Sequence, residues 1–205
     1  MAVTQATSRA DAERWDRFVL DSAAASAYHL TGWRDVIEKS FGHRTYYLFS
    51  EDRNGRLNGV LPLVHLKSAV FGNFMVSLPY FNYGGICAES DEAATELLGK
   101  AIEMAKGLGA GHIELRHTRD FKNGLPAKLS KVCMRLELPE SPAALMKSFT
   151  SKLRSQIKRP EKDGMTARVD RDGGLDGFYH VFSVNMRDLG TPVYSKSFFR
   201  NILER

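Results

Sequence analysis

Two hydrophobic periods alternate along this chain, and their boundaries outline its elements. Ala12, Trp15, Phe18 and Val19 repeat at helical spacing behind Ser8, which with Asp11 is placed to cap a helix that runs to about Ser22. Trp33, Val36, Ile37 and Phe41 repeat the pattern after Thr31, and Gly42 is placed to end that second helix. Residues 45–50 and 57–66 are β-rich and apolar around Asn54-Gly55, which predicts a hairpin. Pro62 cannot donate a ladder hydrogen bond, so its arm is expected to be irregular there or exposed on one edge. A third strand is predicted over 74–78. It leads into Pro79-Tyr80-Phe81-Asn82-Tyr83-Gly84-Gly85-Ile86, which suits a loop at a strand end, where ligands are commonly gripped. The same residues also suit a tight turn with tyrosines plugging the core.

Ser90 is placed to cap a long helix with Ala94, Leu97, Leu98, Ala101, Ile102, Ala105 and Leu108 along one stripe, and Gly107, Gly109 and Gly111 end it. Residues 112–116 read as a short strand. Residues 132–138 alternate, with Val132, Met134, Leu136 and Leu138 on one face and Cys133, Arg135 and Glu137 on the other, which predicts a half-buried strand. Ser141-Pro142 opens a further helix. Leu145, Phe149, Leu153 and Ile157 recur every fourth residue, one apolar stripe that can dock on a core until Pro160 breaks or kinks the path. A strand over 166–169, a turn over 172–174, and a helix from Leu175 to about Met186 with Phe178, Tyr179, Phe182 and Val184 inward complete the pattern. After Gly190-Thr191-Pro192 a last helix starts near Ser195.

Charge changes this picture at one place. Lys147, Lys152, Arg154, Lys158, Arg159, Lys162 and Arg168 face only Glu161 and Asp163, an excess of five that equals the net charge of the whole chain, +5. A field concentrated in this way suits phosphate-bearing ligands, although a charge run is also simply a solvated face. With 205 residues, 43% hydrophobic and 26% charged, the chain reads as globular rather than disordered. No run of about 18 apolar residues predicts a membrane span. No basic region followed by an apolar core marks a secretory signal, so the cytoplasm is the expected compartment. Cys87 and Cys133 have no metal or disulfide spacing and read as reduced thiols. The six histidines form no ligand pair, so no metal is expected. His117, at a strand end after Glu114-Leu115-Arg116, is the one to test as an acid or base. Nucleotide-fold glycine motifs and a Gly-x-Ser-x-Gly elbow are absent.

Several blocks in order carry a resemblance: Trp33 with Phe41-Gly42-His43, Gly59-Val60-Leu61-Pro62-Leu63, Ser77 through Gly85, Ile113-Glu114-Leu115-Arg116, Leu153 through Arg159, and Asn185 through Tyr194. Together they span nearly the whole chain, which resembles the FemAB-related proteins, in particular the branch associated with exopolysaccharide and PEP-CTERM sorting systems. The resemblance implies an α/β fold of the α+β type: a GNAT-like mixed, mostly antiparallel sheet flanked by helices over residues 1–169. Residues 175–205 would then be the opening helices of a second such domain. It implies transfer of an acyl or aminoacyl group from aminoacyl-tRNA or acyl-CoA, with no permanently bound cofactor, to an amine on a peptidoglycan or exopolysaccharide precursor. Family precedent points to Trp33, Arg34, Tyr80, Asn82, Tyr83, Lys152, Arg154 and Arg159 as substrate contacts. The implied partners are a phosphate-bearing envelope precursor and tRNA, with a peripheral membrane contact compatible. The Arg/Gln-x-x-Gly-x-Gly/Ala loop of a simple acetyl-CoA enzyme is absent. A CoA-dependent N-acyltransferase and a non-catalytic RNA- or nucleotide-binding module stand as the alternatives.

Overall fold

A computed structural model of the chain describes residues 2–118, 124–130, 132–171 and 173–205. In order the elements are β1 (Ala2–Gln5), α1 (Arg9–Asp21), a 3-10 turn (Ala27–His29), α2 (Gly32–Phe41), β2 (Arg44–Glu51), β3 (Leu57–Ser68), β4 (Gly72–Val76), β5 (Cys87–Ala88), α3 (Asp91–Gly107), β6 (Ile113–Glu114), α4 (Pro142–Ser148), α5 (Ser151–Lys162), α6 (Leu175–Asp188) and α7 (Lys196–Leu203). They fall into two compact units, Met1–Phe121 with Leu175–Arg205, and Lys122–Gly174.

The first unit is an open mixed sheet flanked by helices, as expected. Strand order is β1-β2-β3-β4-β6, with β5 also on β3, and among the described residues only β4 and β6 run parallel. Because side chains alternate across a strand, Leu48, Leu61 and Leu63 reach one face and meet Leu97, Ala101 and Ala105 of α3. Tyr47, Phe49 and Val60 reach the other and meet Trp15, Phe18 and Val19 of α1. Ser8 caps α1 with the reciprocal Asp11 box. Gly42, in the left-handed conformation, ends α2. Strand β3 passes straight through Pro62, which is buried rather than exposed. On the edge away from β2, β5 pairs only with Gly59 and Val60, and β4 only from Val64 onward. Pro62 lies in the gap between them, so its missing N–H costs no ladder bond. The irregularity falls instead at Ser50/Glu51. Helix α7 returns to α2 from the far end of the chain: Asn201 donates to Ser40 Oγ (2.8 Å), Arg205 pairs with Asp35, and Phe198 is buried against Phe41.

His29 ties these layers together. Its carbonyl accepts from Trp15 Nε1 (2.6 Å), and its ring, 4% exposed, bonds Ser26 N at 3.1 Å and Gly85 O at 3.0 Å. A backbone N–H can only donate to Nδ1, which assigns the proton to Nε2 and makes Gly85 O its acceptor. Both ring nitrogens are satisfied by the neutral imidazole.

The second unit departs from several expectations. Thr150 caps a new helix, and Phe149 is extended at the end of α4, so the stripe from Leu145 to Ile157 is divided between two helices. Leu153 and Ile157 are each 39% exposed, so the stripe is not buried on a core. Pro160 lies inside α5, which continues to Lys162 instead of stopping. Residues 132–138 and 166–169 form no strand; Val132, Met134, Leu136 and Leu138 are exposed, because alternation specifies a strand only where a neighbour completes the ladder. Gly173 and Gly174 turn as expected, while Asp172 lies outside the described residues. In α6, Phe178 is exposed rather than inward. Ile102 of α3 is also exposed.

Two measurements check this packing. Leu97→Ala, which empties a fully buried position under α3, is expected to lower unfolding free energy by about 2–5 kcal/mol in urea titration. Burial pushes the His29 pKa below its ordinary 6.5. The unfolded chain therefore takes up the proton first, so the His29 contribution is complete above about pH 6.5 and is lost as pH falls through the folded value. His29→Gln keeps a donor and an acceptor but does not titrate. The urea midpoint of the native chain minus that of the variant should shrink between about pH 7.5 and about pH 5.

Candidate active site

Beyond β4 the chain enters residues 77–86 and takes two left-handed steps, Leu78 at φ +51° and Tyr80 at φ +73°. Side chains rarely accept that region, so the loop must be held from outside. Arg116, just past β6, does much of this: its N–H donates to Ser77 Oγ (2.8 Å) and its Nη1 to Phe81 O (2.6 Å), while Nε is paired with Glu114 (2.7 Å). Ser77 N–H donates to Glu114 O, and Gly85 N–H to Arg116 O. At Gly85 an added Cβ would lie 2.4 Å from His117 Cδ2, so any side chain there forces that ring to move. The loop's glycines thus serve close approach.

An open cleft of about 400 Å³ lies against this loop, lined by Leu66, Phe74, Val76, Pro79, Tyr80, Phe81, Asn82, Glu114, Arg116 and Tyr194. It sits at the end of the parallel β4–β6 pair. Tyr80 is its polar centre. The ring stacks on Phe41 at 4.0 Å and meets Tyr194 edge-on at 5.6 Å, and the hydroxyl bonds His43 Nε2 at 2.7 Å. Burial pushes the His43 pKa down, with His65 adding to the effect. Burial pushes Tyr80 up, with Tyr194 adding to it. Both groups are thereby kept neutral across a hydrogen bond at the cleft wall.

The expected site residues divide. Tyr80 and Asn82 line the cleft. Trp33 backs its wall, 4.3 Å from the Phe81 ring, with Nε1 donating to Ala27 O; Tyr83 joins the same aromatic group through Tyr28. Arg34 does not line the cleft: it donates to Ala6 O (3.0 Å), pairs with Glu38 at 3.6 Å and lies over the Tyr47 ring. His117 lines a much smaller recess with His29 and Gly85. Lys152, Arg154 and Arg159 lie in the second unit on α5. Arg154 donates to Phe149 O (2.9 Å), Arg159 pairs with Asp163 at 3.5 Å, and Lys152 is exposed. Sequence reasoning missed His43, Arg116 and Tyr194 as site residues. The available signal for His43 was its place directly after the helix stop at Gly42, whereas nothing local links Tyr194 to Tyr80. Among the described residues, no group of three or more His, Cys, Asp or Glu is placed to hold a metal ion.

No family model matches the chain, and no curated protein matches it. Among solved structures, FemX matches 100% of this chain and 54% of its own length, at 23% identity and a TM-score of 0.68. A GNAT family acetyltransferase from Staphylococcus aureus subsp. aureus USA300_TCH1516 matches 66% of this chain and 100% of its own, at 15% identity and a TM-score of 0.42. The ribosomal-protein-alanine N-acetyltransferase from Brucella melitensis biovar Abortus 2308 has the same coverage and identity, with a TM-score of 0.46. The chain spans about half the length of FemX, and along that half it has the FemX fold.

Proposed function

We propose that this chain is part of a FemAB-type acyltransferase that moves an acyl or aminoacyl group onto an amine of a cell-envelope precursor, of peptidoglycan or exopolysaccharide. The observation that carries the reading is Tyr80 on the cleft wall with its hydroxyl bonded to the neutral His43, in a chain that shares its fold with FemX. An amine attacking an ester or thioester must shed a proton as the new C–N bond forms. Tyr80 Oη takes that proton while passing its own to His43 Nε2. His43 then returns a proton, through Tyr80, to the departing alkoxide or thiolate, so the pair ends as it began. The Asn82 amide on the cleft wall is a donor for the developing oxyanion. The stem of the acceptor lies against Phe81 and Tyr194. The donor is aminoacyl-tRNA or acyl-CoA, and the exposed cations of α5 hold phosphate. The expected compartment is the cytoplasm.

With the protein made from its complete reading frame, turnover of a labelled aminoacyl-tRNA should be seen and should fall about 10²–10⁴-fold in His43→Gln and in Tyr80→Phe. The double variant should be scarcely worse, because the two residues act as one unit. The acid limb of the kcat/KM profile should lie below the usual histidine value, since only neutral His43 accepts a proton, and should vanish in His43→Gln. Full activity in both single variants rejects the relay. Turnover of acyl-CoA alone moves the protein to the CoA-dependent class, and tight RNA binding without turnover of either donor moves it to a binding module.

Lys152→Ala combined with Arg159→Ala leaves Arg154 on the Phe149 carbonyl. This variant should bind tRNA or a nucleotide-linked precursor more weakly, with a flatter dependence on salt. Identical affinity across a salt series would remove the phosphate-holding role.

A further inference from the structure

The turn between β3 and β4 exposes the wrong residues for an idle hairpin. Val70 and Phe71 are 82% and 81% exposed at its tip. The turn is ordered: Val70 and Phe71 both donate backbone N–H groups to Ser68 Oγ (3.2 and 3.3 Å), Gly72 takes φ +93°, and Ser68 faces Gly72 in the ladder. The two side chains are therefore held outward by a built turn.

The hairpin arms and the chain segments that reach this end of the sheet carry cations. Lys67 faces Asn73 in the β3–β4 ladder, and Arg44 begins β2 opposite His65, so the start of β2 lies at this end of the sheet. Asn73 Nδ2 donates to Leu108 O and Gly109 O, which brings the end of α3, with exposed Lys106, to the same end. His112 stacks on Phe74 at 4.9 Å. Between Arg53 and Ala88, and between Met104 and Ile113, the sequence has no Asp or Glu. An exposed Val-Phe tip with Lys67, Arg44 and Lys106 at the same end of the sheet has the chemistry of an interfacial anchor: apolar groups that enter the acyl boundary, and cations that meet anionic headgroups. No described helix is long and apolar enough to cross a membrane, so the contact would be peripheral.

We infer that the Val70–Phe71 tip seats this unit on an anionic lipid bilayer. The inference goes beyond the proposed reaction and does not require it. Its geometry has a consequence for the cleft, however. Leu66 and Phe74, register partners in the two arms of this hairpin, line the cleft, and Phe74 is three residues from Phe71, roughly 10 Å along a strand. A bilayer engaged at the tip thus meets the hairpin about one headgroup layer from the cleft wall.

The test is co-sedimentation of the full chain with phosphatidylglycerol/phosphatidylethanolamine vesicles and with phosphatidylcholine vesicles across a salt series. Val70→Ser combined with Phe71→Ser, and separately Lys67→Glu, are run beside it, with circular dichroism to establish that each variant is folded. Binding is expected only to the anionic vesicles, to weaken with salt, and to fall at least about tenfold in the double variant and severalfold in Lys67→Glu. A Phe71→Trp variant should be quenched by brominated lipid beyond the signal that Trp15 and Trp33 give in the native chain. No vesicle binding, undiminished binding in the folded double variant, or an unquenched tryptophan at position 71 would overturn the inference. A dimer that the double variant abolishes would assign the tip to a second copy instead. None of these readouts depends on turnover.

Discussion

The cleft depends on backbone that the chain would not adopt unaided. Leu78 and Tyr80 both lie at positive φ, at a cost of order 1–3 kcal/mol each for residues of this size. That cost is offset by contacts from three parts of the chain. Arg116 fastens Phe81 O and Ser77, His29 fastens Gly85 O, and Phe41 stacks on the Tyr80 ring. These anchors come from β6, the 3-10 turn and α2, which the sheet and its two hydrophobic layers hold at fixed places. The core therefore acts on the site through the loop it over-determines. Tyr80 in the ordinary β or α region would aim its hydroxyl elsewhere and leave His43 without this partner.

Closure of the cleft also needs the end of the chain. Tyr194 reaches Tyr80, and Phe198 packs on Phe41, because α7 docks on α2 across more than 150 residues of sequence. Polar bonds such as Asn201 to Ser40 fix the register of this docking, while Phe198 is buried against Phe41. The segment from Leu175 on thus contributes Tyr194 to a cleft whose other lining residues all lie before residue 117.

Local order was largely legible. Ser8 with Asp11, Gly42, Ser90 and Ser141-Pro142 each combine a capping side chain or a terminator with a helical stripe, and both signals act over a single turn. The hairpin around Asn54-Gly55 was equally clear. Failures arose where a pattern needs a distant partner. The alternation of Val132 to Leu138 specifies which face would be buried, not what buries it. The fourfold repeat from Leu145 to Ile157 ignores the cap at Thr150, a signal present in the string and outranked by periodicity. In the site, Tyr80 and Asn82 were legible from loop chemistry. Arg34 carries the right charge but spends it on Ala6 O and Glu38, which nothing in its neighbours reveals. His43 and Tyr194 became visible only once the fold brought them to Tyr80.

The opposed pKa shifts of His43 and Tyr80 constrain how a proton could cross the cleft. At their ordinary values, 6.5 and 10.0, the two groups are 3.5 pH units apart, so moving the proton from tyrosine to neutral histidine costs about 5 kcal/mol. Burial lowers the first and raises the second, which widens that gap. A resting tyrosinate–histidinium pair is therefore not populated, and Tyr80 does not wait as an anion. In the proposed transfer its proton leaves only as the proton of the attacking amine arrives, and the amine's gain in acidity on bonding to the carbonyl carbon drives the handover. Such a relay requires that water be unable to substitute for Tyr80. Phe41 stacked on the ring and Tyr194 packed against it limit water around Tyr80 on those sides, which ties the chemistry again to the docking of α7 on α2.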